Sequence, residues 1–302
     1  MHPKDYRAQY AEGLERTRAA RSAEPASRGA RELVKIIRDA SADVADRLAA
    51  IREASSFDPL SKPSVIKAWL HVLSSPEEPA DLRLAALTAL QQCSVRTLDF
   101  RPYLADFTTA LRTATSSEDQ ALREQAMDIL ALYKDPYVQQ MLADGLRNPP
   151  TAVVAPERAL RMLGYDVHGE YYPLLHDIVE GSRKPQLRRM ALRLLAADSG
   201  AKDTFARIAA DRDDDPVARS TSAVALQSLA PQEFDSLAKA IVADDDDDDG
   251  VRATMLNALA HNPDDPDEPT LGVARAIDAS AQRSPQLKAA ARGYLRQSNL
   301  PS

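Results

Sequence analysis

Three groups of residues in this chain could do chemistry, and their spacing tells them apart. The first is basic. Arg158 and Arg161 stand three residues apart and Arg189 and Arg193 four, so each pair shares one face of a helix. A guanidinium fork suits bidentate capture of a carboxylate or phosphate, which makes Arg158, Arg161, Arg189 and Arg193 the candidate partner-binding residues. Arg183 lies close by, and acids such as Glu157 and Glu124 could equally neutralise the cluster from within. The second group is acidic: Asp213, Asp214 and Asp215, preceded by Asp211, and the unbroken run Asp244, Asp245, Asp246, Asp247, Asp248 and Asp249. Hard cations favour such oxygen clusters, but a calcium loop places its ligands at set offsets around a glycine turn. Gly250 ends the run and does not interrupt it, so both clusters read as a solvated acidic rim at helix N-termini. The third group is sparse. His2, His71, His168, His176 and His261 are scattered singly, Cys93 is alone, and ten glycines leave little material for a phosphate loop. No motif marks a nucleophile. The expectation is no catalytic residue, no cofactor and no metal.

Composition agrees with a helical, soluble chain. At 302 residues and 44% hydrophobic it can bury a large core, yet aromatics are only 5%. Packing must then rely on alanine and aliphatic contacts, which suits closely spaced helices better than a sheet. The net charge is −7, and residues 201–302 carry all of it, with 11 basic against 18 acidic residues. Nucleic-acid binding needs the opposite sign, so it is disfavoured. No apolar stretch reaches signal-peptide or membrane-span length, and one cysteine allows no intramolecular disulfide. A cytoplasmic protein with no membrane partner is expected.

The elements that must position these groups are helices in pairs. In Pro185–Leu195, Leu187, Ala191 and Leu195 fall on one helical face behind a proline suited to the first turn. Aligning second helices on Arg188 gives Arg83, Arg123, Pro156, Arg188, Arg219, Arg252 and Lys288. Three places on stand Ala86, Ala126, Ala159, Ala191, Ser222, Met255 and Ala291. Seven places on, every repeat has leucine: Leu90, Leu130, Leu163, Leu195, Leu226, Leu259 and Leu295. The spacings run from 31 to 40 residues, the period of an α-solenoid. First helices are expected over 64–73, 103–114, 136–146, 170–180, 202–210, 233–243 and 271–281. Two helices over 30–40 and 42–54 precede the array, and 5–21 reads as a further amphipathic helix. Pro156 departs from the pattern and predicts a different start for its helix. The recurring arginines share one register and therefore one structural job, such as bonding an acid or carbonyl of a neighbouring repeat.

Arginine at the start of the second helix, a small residue three on and leucine seven on resemble HEAT repeats. The segments 215–230 and 249–260 are similar to the short, PBS-lyase HEAT-like variety. The resemblance implies an all-α, right-handed α-α superhelix of about seven helical pairs plus N-terminal capping helices. It also implies an organisation of 1–27 as a helical extension, 28–298 as a single solenoid and 299–302 as a tail. In HEAT-like arrays second helices line the concave side, which would set Arg161, Arg189 and Arg193 in mid-groove. Enzymes with such repeats can be compared residue by residue. Deoxyhypusine hydroxylase builds a di-iron site from His-Glu dipeptides, whereas no histidine here precedes glutamate; His176-Asp177 is the nearest approach. Alkylpurine glycosylases need a basic face with aromatic support, and the single Trp69 sits among Ile66, Leu70 and Val72 as a core residue would. The sequence therefore leads to a non-enzymatic adaptor that holds an acidic segment of a protein partner along its concave face. The alternative is a bilin-lyase-like or other enzyme-accessory HEAT protein.

Overall fold

The computed structural model describes residues 28–166, 169–261 and 267–298. The extension expected at 1–27, the tail at 299–302 and His168 lie outside them. The chain is all-α: every regular element among the described residues is an α-helix or a short 3-10 turn. Those residues divide between Tyr133 and Lys134 into two compact units.

The first unit holds three helical pairs: Ala30–Arg38 with Val44–Ala54, Pro63–Ser74 with Ala80–Ser94, and Leu104–Ala114 with Gln120–Leu132. Within it, first helices pack on first helices and second on second, which produces two layers. The second unit repeats this plan with Pro136–Arg147 and Pro156–Leu163, Tyr172–Gly181 and Pro185–Leu195, Lys202–Ala210 and Pro216–Leu229, Pro231–Ala243 and Asp249–Ala260, and Glu268–Ala279 and Pro285–Gln297. Six of the seven leucines expected to face the core are buried, and Leu295 in the last helix is half-buried. Leu90, Leu130, Leu195 and Leu226 are fully buried, as are Ala126 and Ala191 one turn before two of those leucines. Trp69 is fully buried among its aliphatic neighbours.

Helix starts follow from the local sequence. Proline occupies the first turn of Pro63–Ser74, Pro136–Arg147, Pro185–Leu195, Pro216–Leu229 and Pro231–Ala243, where its missing N–H costs nothing. Asp119, Asp215, Asp248 and Ser284 cap second helices by accepting from Leu122, Ala218, Val251 and Leu287 N–H groups. Elsewhere the second helix begins three residues before the aligned position, which puts Arg83, Arg123, Arg188, Arg219, Arg252 and Lys288 fourth in line. Pro156 instead begins its helix, which has only 8 residues. The helices expected to precede the array have the same construction as the rest, with Arg47 fourth in Val44–Ala54.

Candidate functional site

An arginine fourth in a helix sends its side chain back over the first turn, toward the end of the preceding helix. The last carbonyls of that helix have no intrahelical donor. The recurring arginines fill this need. Nε of Arg47, Arg83, Arg188, Arg219 and Arg252 donates to the carbonyls of Ile37, Leu73, Val179, Ala209 and Val242 at 2.8–3.2 Å. The outer edge of the guanidinium then faces the turn of the next repeat. There Glu78 takes Arg47 at 2.7 and 2.6 Å, and Asp247 takes Arg219 at 2.6 and 2.7 Å, each a fork-to-fork pair. Asp214 takes Arg188 in the same way. Arg47, Arg188 and Arg219 thus each tie the two helices of their own pair to the following pair.

This arrangement assigns the acidic clusters. Asp214 and Asp247 occupy matching positions and bond arginines, and the next residues, Asp215 and Asp248, cap helices. Burial pushes the carboxyls of Asp214 and Asp247 up, but the Arg188 and Arg219 guanidiniums together with the Asp215 and Asp248 N–H groups outweigh it and hold them below the ordinary range. Asp249 accepts from the Ser284 N–H at 2.7 Å and lies 3.4 Å from Arg283. Asp244 pairs with Arg212 at 3.2 Å, and Asp245 bridges Arg252 and Arg283 at 3.0 and 2.8 Å. Within the two acidic clusters, Asp213 and Asp246 are the exposed residues whose carboxylates make no hydrogen bond or ion pair among the described residues. The picture of a solvated rim therefore needs correction: Asp247 is only 7% exposed, because a buried arginine one repeat earlier requires a counter-charge. Among the described residues no group of three or more His, Cys, Asp and Glu side chains is placed to hold a metal ion.

The basic cluster splits in two. Arg161, Arg189 and Arg193 come together along a cleft of ≈ 620 Å³ between Pro156–Leu163 and Pro185–Leu195, lined also by Tyr165, Gln186 and Met190. Arg158 is half-buried and does not line it. Arg189 is already engaged, bidentate with Asp215 at 2.8 and 2.6 Å. The acid that neutralises it is Asp215 of the next repeat, not Glu157, which approaches Lys184 at 4.0 Å. Arg161 and Arg193 are exposed and make no ion pair or side-chain hydrogen bond among the described residues. Gly164 sits at the cleft floor, where an added Cβ would come within 3.0 Å of Leu194 Cδ2.

Sequence reasoning overlooked Arg47 and Glu78. Their signal was present: an acid stands five residues before four of the five aligned arginines, as Glu78, Glu118, Asp214 and Asp247, while Arg183 holds that place before Arg188. Asp46 and Ala54, where other repeats carry an apolar residue and leucine, hid the first of these pairs.

No protein-family model and no curated protein matches the chain by sequence. Among solved structures, human deoxyhypusine hydroxylase in complex with glycerol is similar over 80% of this chain and 99% of that one, at 12% identity and a TM-score of 0.33. At that level the likeness brings no active site with it. It nevertheless names an enzyme where the sequence led us to expect a non-enzymatic adaptor, and that expectation, together with the absence of any enzymatic connection, is withdrawn on this finding.

Proposed function

We propose that the chain is an enzyme-accessory protein of the PBS-lyase-like HEAT type, and that the cleft at Arg161 and Arg193 receives an acidic segment of a protein partner. One observation carries this reading. In a molecule where Arg47, Arg188, Arg189 and Arg219 each have a bidentate carboxylate, Arg161 and Arg193 share a cleft and have none. Two exposed like charges on neighbouring helices repel each other until a negative group arrives. Tyr165 and Met190 add apolar surface between them, which suits a peptide better than a bare ion. The repeat spacing and the leucine register support the HEAT type. The lone Cys93, buried and with its thiol pushed up by burial, suits a reducing cytoplasm.

The test is anisotropy of a labelled Glu/Asp-rich peptide across a salt series. Arg161→Glu with Arg193→Glu should leave the helical circular dichroism unchanged and weaken binding about tenfold or more at low salt, an effect that narrows as salt screens the attraction. Equal binding by the wild type and the double variant would place the surface elsewhere.

A further inference from the structure

The arginine that differs from its counterparts is Arg83. It is 4% exposed, and its Nε bonds the Leu73 carbonyl as in the other repeats. Its Nη2 is buried and has no hydrogen-bond partner. The residue in the register that serves Arg47, Arg188 and Arg219 is Glu118. Glu118 is present but exposed, and its carboxylate makes no bond among the described residues. Where the other repeats hold a carboxylate, this one holds a cleft of ≈ 450 Å³ lined by Glu78, Ala80, Arg83, Thr113, Ser116 and Glu118. Above it the Ala80–Ser94 helix begins at Pro79 with no side-chain cap, unlike the helices begun by Asp119, Asp215 and Asp248. The chemistry of the cleft is that of an incomplete rung: a desolvated guanidinium, open helix N–H groups and hydroxyls, with Glu78 already neutralised by Arg47.

We propose that this cleft is a binding site for a carboxylate supplied by a ligand, which seats against Arg83 where Asp247 seats against Arg219. A free small carboxylate and the side chain of an acidic peptide share that chemistry. Burial lowers the pKa of Arg83, whereas the carboxylates on Arg188 and Arg219 raise theirs. Glu118 at the mouth opposes an incoming anion, so removing its charge strengthens the site.

The experiment uses the full chain and follows the melting temperature against sodium acetate, sodium succinate and a Glu-containing tetrapeptide, with sodium chloride at matched ionic strength. The expected result is a saturable upward shift over chloride that is absent in Arg83→Met. Glu118→Gln alters an exposed side chain and keeps the test open if Arg83→Met does not fold. Its half-saturation concentration should fall about threefold or more as a like charge leaves the mouth. A response to acetate and succinate as well as the tetrapeptide identifies a small-carboxylate site, and a response to the tetrapeptide alone identifies a peptide site. No shift over chloride in the wild type, or an unchanged half-saturation in Glu118→Gln, overturns the proposal and leaves Glu118 itself as the occupant.

Discussion

Arg219 in the second unit and Arg83 in the first have the same register, equivalent carbonyl partners in Ala209 and Leu73 and nearly the same burial, yet one is closed and the other open. Asp247 meets Arg219 with both oxygens, and the pair leaves side-chain exposures of 2% and 3%. Arg83 has the same need and an acid at the same offset, but Glu118 stays in solvent. The difference teaches that a repeated arginine is a requirement, and the turn of the following repeat decides how it is met. Arg252 shows a third outcome. Arg283 occupies the place of the acid, so Arg252 falls back on Asp245 of its own turn and keeps Nη1 without a partner.

The largest effect should come from opening a closed rung. Asp247→Ala leaves Arg219 charged and buried, and should cost about 3–5 kcal/mol in urea unfolding. Glu118→Ala, at the same register, should change stability by less than about 0.5 kcal/mol. A comparable loss in both would mean that Arg83 is closed in solution and would erase the contrast. The two units should not differ in their apolar seams, because Leu130 and Leu195 are equally buried. Leu130→Ala and Leu195→Ala should therefore each cost about 2–5 kcal/mol, and a much smaller loss in one unit would show that more than the rungs separates them.

A pH titration sharpens the comparison on the acid side. Asp267, between the Thr270 N–H and Lys239, has its carboxyl pushed up by burial but held down more strongly by those bonds, to about 2 against an ordinary 3.8. Asp214, Asp215 and Asp247 shift in the same direction. A depressed carboxyl stabilises the fold fully above its unfolded value, and that contribution is lost as pH falls through the folded one. Helical circular dichroism should hold down to about pH 4 and fall between there and about pH 2. Asp267→Asn should flatten the lower part of that fall, and an identical titration would show that Lys239 does not depress this carboxyl. The smallest effect concerns Lys134, whose φ of 57° follows the Gln120–Leu132 helix. Lys134→Gly should stabilise by about 0.5–1 kcal/mol, less a few tenths for the exposed ion pair with Asp166.

Much of the fold was legible because a buried seam leaves a period. Leucine seven places beyond the aligned position, with a small residue between, reports packing between neighbouring helices, and Pro185–Leu195 and Lys202–Ala210 have the bounds their sequences predict. A common bond for the recurring arginines was legible for the same reason, since a shared register reaches the same backbone. The carbonyl that Arg83, Arg188, Arg219 and Arg252 bond, however, belongs to the first helix of their own pair and not to a neighbouring repeat. The candidate site was legible only in part. Helical spacing brings Arg161, Arg189 and Arg193 to one face, but it cannot show that Asp215 takes Arg189 and leaves the other two. Likewise, the Asp244–Asp249 run reads as uniform by composition, although it divides into buried, capping and solvent-facing carboxylates. Periodicity within a helix is local geometry, so residue order alone determines it. Whether a charged side chain is spent or available depends on what the next repeat presents a few ångströms away. That distance is set by how the helices stack, and only the tertiary structure decides it.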